Sequence, residues 1–317
     1  MKWRPRKKDS GDVIDIRGSG GSKGGGRSGI SLPGGLPGGM AGLGGGVGTI
    51  VMIVVIAIQL FGGGGGSGGG FQLPGGFDIG DILAPGATAP GADDPDPIPP
   101  GEDPQKDLKD FSVYVFEDAQ DVWAGTFNRS DQGYEKAQLV LYSQAVSTDG
   151  CGSATSAVGP FYCPADSRVY LDLTFYEDMQ RQLGAGGDFA WAYVIAHEMG
   201  HHIQNVTGTN AKVASLERRD PGSANELSVR NELQADCYAG VWGATVFAAG
   251  DLEDGDLDEA FNAAEAIGDD RLQEQAGQRV NPDSFTHGTS EQRRTWFKRG
   301  YESGDPSDCD TFSPDSV

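Results

Sequence analysis

The sequence predicts a mainly helical α+β domain over residues 108–317, set behind an N-terminal transmembrane anchor and a disordered tether. Three observations predict it. First, 31 of the 51 glycines and 11 of the 17 prolines precede position 108, so the first third of the 317-residue chain cannot bury a core. Second, no charge occurs between Ser28 and Phe77, and that stretch contains the apolar run Thr49–Phe61. Third, apolar residues beyond position 107 recur mostly at helical spacing, with two short runs of β type among them.

Residues 1–39 read as a basic, Gly-rich tail. Eight Lys and Arg against three Asp fall within residues 1–27, a local balance of +5 in a chain whose net charge is −22. Residues 40–61 supply the roughly 20 uncharged positions that a helix needs to cross a bilayer. Because the basic residues precede it, the positive-inside rule puts the N-terminus in the cytoplasm and the domain outside. A cleaved signal peptide would place its apolar core much nearer Met1 and follow it with a small-residue cleavage site. Residues 62–107 (polyglycine, then PGADDPDPIPPGEDP) read as a tether, flexible first and stiffer later.

Within the domain, Phe111, Val115, Ala119 and Val122 mark an amphipathic helix over 107–127. Strands are expected over 138–146 and 168–173, then helices over 188–206, 224–249 and 257–267. Ser223 and Glu226 match a capping box at the start of the second of these helices, and Gly250 ends it. The excess of acid argues against nucleic acid as a partner, since phosphate binding needs a basic face. The acidic stretch 251–259 lacks calcium-loop spacing and reads as a solvated turn leading into a helix.

Three of the four histidines occur in HEMGHH, residues 197–202, after the apolar run FAWAYVIA. On a helix His197 and His201 project from one face, so both imidazoles can reach one Zn²⁺. Glu198 beside them can take a proton from an attacking water. A bare HExxH arises by chance in a chain of this length with a probability on the order of one in a hundred, so more is needed. A catalytic zinc needs a third protein ligand. Glu232 and Asp236 share a helical face in a segment too apolar to bury uncompensated carboxylates. Glu232 is the expected third ligand, and Asp236 the acceptor for a ligand histidine's Nδ1–H. His287, the fourth histidine, is the candidate donor to a reaction oxyanion, ahead of Tyr193 and Arg293; a packing role is the alternative.

The blocks HEMGHHIQ, NELQADCYAG, CGSATSAVGPFYCPADSRVYLDLTF and FTHGTSEQRRTWFKRGYESGDPSDCDTF, with MKWRPR at the start, resemble the neutral zinc metallopeptidase family of bacterial single-pass membrane proteins. HExxH followed by ExxxD is the more general gluzincin pattern. The resemblance implies a zincin-like fold, a Zn²⁺ cofactor and hydrolysis of peptide or protein substrates. In such folds the substrate commonly lies along an edge strand, a role open to 168–173, with a plain core strand as the equal alternative.

The four cysteines allow three pairings. The short loop between Cys151 and Cys163 favours their union, leaving Cys237 with Cys309. Disulfides belong to oxidising compartments, in line with a cell-membrane protein whose catalytic domain is extracytoplasmic. Two other functions are compatible with the motifs: a zinc-binding adaptor without activity, and a zinc hydrolase of a non-peptide amide. Retention of Glu198 favours hydrolysis over the adaptor.

Overall fold

The computed structural model describes residues 1–5, 10–18, 72–73, 77–78, 98–99, 101–130, 133–313 and 316–317. The expected anchor over 40–61 and most of the tether over 62–107 lie outside the described residues. Among the described residues no helix is long and apolar enough to cross a membrane. In chain order the elements are β1 (Val13–Asp15), β2 (Gln72–Leu73), β3 (Phe77–Asp78), α1 (Lys106–Arg129), β4 (Gln138–Tyr142), β5 (Ala145–Ser147), β6 (Ser153–Thr155), β7 (Phe161–Cys163) and β8 (Arg168–Asp172). Then follow α2 (Phe175–Gln182), α3 (Asp188–Val206), α4 (Thr209–Arg219), α5 (Ala224–Ala249), α6 (Asp256–Ala266), α7 (Asp269–Gln275) and α8 (Ser290–Ser303). The architecture is α+β and mainly helical.

Helix α3 is buried continuously from Phe189 to Gln204. A helix apolar on all sides belongs in a core, and α3 packs against α1, α5 and α6. It crosses α5 where side chains are smallest. A Cβ on Gly200 would lie 2.8 Å from the Ala235 carbonyl oxygen and 2.9 Å from its Cα. Glycine at 200 therefore lets the backbones touch, midway between His197/His201 on one helix and Glu232/Asp236 on the other. Helices α5 and α8 meet the same way. A Cβ on Gly240 would overlap the Phe297 carbonyl oxygen, and one on Gly300 that of Cys237.

The main sheet runs β1-β4-β8-β7, with β1, β4 and β8 parallel and β7 antiparallel to β8. Successive strand residues face opposite sides, and both sides are covered. Leu139, Leu141, Val169 and Leu171 join the helical core, while Val140, Tyr142 and Tyr170 pack with Val146, Phe161 and Cys163 on the other face. Three expectations change here. The strand expected over 138–146 breaks at Gln144, whose φ of 69° reverses the chain into β5. The strand at 168–173 is interior, and the edges are β1 and β7. The capping box at Ser223 does not form: its hydroxyl donates to the Asp220 carbonyl, and Glu226 accepts from Arg230 instead.

Residues 1–5 and 10–18, expected in a tail apart from the domain, are part of it. Strand β1 pairs with β4 in register from Val13↔Leu139 to Asp15↔Leu141. Arg17 is buried and pairs with Asp15 at 2.8 Å and with Asp103 at 2.6 Å. Trp3 packs edge-on against Phe111, and the Met1 amine donates to Asp188 and Asp256. The disulfides are Cys151–Cys163 and Cys237–Cys309; the second ties the C-terminal segment to α5.

The α5–α8 contact yields a stability prediction. Gly300→Ala drives a methyl group into the Cys237 carbonyl and should cost about 1–3 kcal/mol, a Tm drop on the order of 3–10 °C by calorimetry. An unchanged Tm would mean that the two helices are not in backbone contact.

Candidate metal centre

Helix α3 carries His197, Glu198 and His201, and α5 carries Glu232 and Asp236; the crossing at Gly200 brings the two sets together. His197, His201 and Glu232 form a buried group whose ligand-type atoms all lie within 4.8 Å of one another. His197 Nε2 is 3.2 Å from Glu232 Oε2, and His201 Nε2 is 3.5 Å from Glu232 Oε1. Tetrahedral zinc with bonds of 2.0–2.1 Å separates its ligand atoms by about 3.4 Å, so these spacings fit such an ion. Glu232 Oε1 is buried and has no hydrogen-bond partner. A buried carboxylate oxygen left without a donor is costly, and coordination would satisfy it.

Each imidazole is oriented from behind. His197 Nδ1 lies 2.8 Å from Asp236 Oδ1. Asp236 also accepts from the Tyr193 hydroxyl and from Arg293, whose Nε and Nη2 lie 2.8 and 2.9 Å from its two oxygens. Tyr193 and Arg293, weighed as oxyanion donors, are thus spent on Asp236. Their function is to hold the carboxylate that holds His197.

His201 is oriented by a residue that the sequence reading missed. Its Nδ1 lies 2.8 Å from Gln204 Oε1. The Gln204 amide also reaches the Asn231 carbonyl at 2.6 Å, which can only accept, so the Nε2 end faces Asn231 and the oxygen faces His201. His201 Nδ1 therefore carries a proton, which leaves Nε2, 3.5 Å from Glu232 Oε1, as the nitrogen that would bind a metal. The signal was available: Gln204 lies three residues beyond His201, on the same helical face. The third motif histidine, His202, is structural. Its Nε2 donates to the Glu135 carbonyl at 2.8 Å and its Nδ1 accepts from Tyr162, while burial pushes it down to about 4 and keeps it neutral.

The electrostatics favour a cation. Burial alone would lower His197, but Asp236 and Glu232 outweigh it and hold it up at about 9. Burial likewise works against ionised Glu232, yet His201 and His197 bring its carboxyl well below the usual range. Asp236 stays ionised because Arg293 and His197 outweigh its desolvation. Glu198, also buried, is pushed up by desolvation, an effect that His201 and His197 only partly offset. His287 sits on the loop before α8, close enough to help lower Glu232. Its Nδ1 lies 3.3 Å from Asp269 Oδ1, and Asp269 Oδ2 accepts the backbone N–H groups of Thr286, His287 and Gly288 at 2.7, 2.6 and 3.1 Å.

A mainly helical α+β domain with two histidines on one helix and a glutamate on a second helix packed across it defines a candidate metallohydrolase. Residues 1–312 match the family described as "Putative neutral zinc metallopeptidase". The chain belongs to that family. It is 44% identical over 313 residues to "Uncharacterized protein YpfJ" of Escherichia coli (strain K12), covering 98% of this chain and 99% of that one. It is 46% identical over 192 residues to "Uncharacterized protein Rv2575" of Mycobacterium tuberculosis (strain ATCC 25618 / H37Rv), covering 57% of this chain and 64% of that one. No solved structure matches.

A metal must displace the proton on His197, whose raised pKa favours the protonated ring below about 9. Zinc affinity should therefore rise with pH between about 6.5 and 9, up to tenfold per unit for each proton displaced, and level off above. Chelator-competition titrations at pH 6, 7.5 and 9 measure this. A flat dissociation constant would exclude histidine ligation.

Proposed function

We propose that the protein is a zinc-dependent peptidase that hydrolyses peptide bonds with Glu198 as general base. The observation that carries this reading is the buried Glu232 carboxylate, its Oε2 3.2 Å from His197 Nε2 and its Oε1, which lacks a hydrogen bond, 3.5 Å from His201 Nε2, against two imidazoles whose outer nitrogens are already engaged. His197, His201 and Glu232 would hold the ion, which supplies Lewis acidity to the substrate carbonyl and to an attacking water.

The chain's own residues do the rest. Glu198, one position from the first ligand and pushed up by burial, takes a proton from the attacking water and passes it to the leaving amine. A raised pKa makes the carboxylate a better base while leaving it able to give the proton back. His287, its Nδ1 held against Asp269 Oδ1 at 3.3 Å, is the candidate donor to the developing oxyanion. Asp269 in turn is fixed by the three backbone N–H groups of the 286–288 loop, so ring and loop are set together.

The peptide would extend along β7, the sheet edge whose Tyr162 contacts α3 through His202. This relocates the substrate-binding strand from 168–173 to 161–163. The two disulfides favour an oxidising compartment for the whole domain, residues 1–18 included. The apolar segment 40–61 is the candidate membrane contact.

Glu198→Gln tests the chemistry. It should keep zinc within severalfold of wild-type affinity and lower kcat on casein by on the order of 10²–10⁴, with wild-type activity abolished by chelator and restored by zinc. Hydrolysis at the wild-type rate in Glu198→Gln would remove the general-base assignment.

A further inference from the structure

The two imidazoles of the candidate centre are held by unlike supports. His197 rests on a charged assembly of Asp236, Arg293 and Tyr193. Behind His201 there is no charge. Its Nδ1 meets Gln204, which donates to the Asn231 carbonyl at 2.6 Å and contacts Gln234 Oε1 at 3.3 Å. Gln234 in turn donates to the Cys309 carbonyl at 2.9 Å, and Cys309 is bonded to Cys237 on α5, the helix that carries Glu232 and Gln234. Gln204 is fully buried; Gln234 and Cys309 are nearly so.

The direction of each amide is determined. Cys309 and Asn231 offer carbonyls, which only accept, so the Gln204 oxygen faces the imidazole and the Gln234 oxygen faces the Gln204 side-chain nitrogen. The relay therefore ends in an acceptor at His201 Nδ1. A reversed Gln204 would place an N–H against that nitrogen, favour the opposite tautomer and spoil Nε2 as a ligand. Two buried glutamines in this arrangement do nothing for packing that leucine or methionine would not do more cheaply. What they supply is a fixed proton position on His201.

We propose that Gln204 is the positioning residue for His201, and that Gln234 and the disulfide-held Cys309 carbonyl fix its orientation, so that metal retention depends on this amide relay. The inference rests on the zinc reading above. It assigns to Gln204 what Asp236 does for His197, with a neutral acceptor in place of an anion. A neutral acceptor fixes the ring without placing a further negative charge beneath the cation.

Gln204→Met removes the acceptor at nearly constant volume. Its zinc affinity, read by chelator competition, should fall about 10–100-fold, and the visible absorption bands of the Co²⁺-loaded protein should shift in position and intensity. Gln234→Met leaves the Asn231 contact in place and should lose less than tenfold. The circular dichroism of the metal-free proteins should be unchanged. Gln204→Met within threefold of wild type, or a larger loss in Gln234→Met, overturns the proposal. Should Gln204→Met fail to fold, ring ¹⁵N spectra of zinc-loaded wild type decide. A slowly exchanging Nδ1–H on His201 with Nε2 on the metal supports the relay, and metal on Nδ1 or rapid solvent exchange refutes it. Wild-type protein that binds no zinc at all defeats the zinc reading itself, a result distinct from either.

Discussion

The backbone contact between α3 and α5 at Gly200 and Ala235 is the constraint on which the site depends. Neither helix alone carries enough ligands for a metal. Two imidazoles leave it under-coordinated, and a glutamate one helix away is useless unless the axes come within the reach of short side chains. Any side chain at 200 would meet the Ala235 backbone at under 3 Å and push Glu232 away from the histidines. The remaining core secures that crossing. α1 and α6 close over α3, α8 presses on α5 through its own glycine contact, and Cys237–Cys309 pins the C-terminal segment behind it.

The polar interior follows from the same geometry. Burying Glu198, Glu232, Asp236, Arg293 and two histidines in one cluster is expensive unless each charge has a counterpart. Arg293 offsets Asp236, the imidazoles offset Glu232, and backbone N–H groups of the 286–288 loop serve Asp269. The buried carboxylate oxygen in this cluster without a hydrogen bond is Glu232 Oε1, 3.5 Å from His201 Nε2. The same carboxylates, Asp236 and Glu232, raise His197 against the desolvation that would lower it.

Much of this was legible in the sequence, for a physical reason. HExxH and ExxxD work by helical spacing, and spacing survives in one dimension; so do apolar periodicity and the short loop between Cys151 and Cys163. The roles of Arg293 and Tyr193 were misread because nothing local distinguishes a residue facing substrate from one facing Asp236. Gln204 was passed over because a glutamine near a helix end reads as surface until Asn231 and Gln234 close around it. Strand β1 was invisible: Val13–Asp15 is three residues long, sits among charges, and gains its place only by pairing with β4, more than 120 positions away. Whether 168–173 was an edge or a core strand stayed open in the sequence because the order of strands in a sheet is a long-range property.

The central claim is that two imidazole nitrogens and one carboxylate oxygen, drawn from two helices, hold a single zinc ion with room for water. X-ray absorption at the zinc edge, on protein purified with zinc present, tests it most directly. The account predicts stoichiometric zinc in a shell of nitrogen and oxygen only, at about 2.0–2.1 Å, with the multiple-scattering signature of two imidazoles. A shell containing sulfur, a single imidazole, or protein that retains no zinc would contradict it.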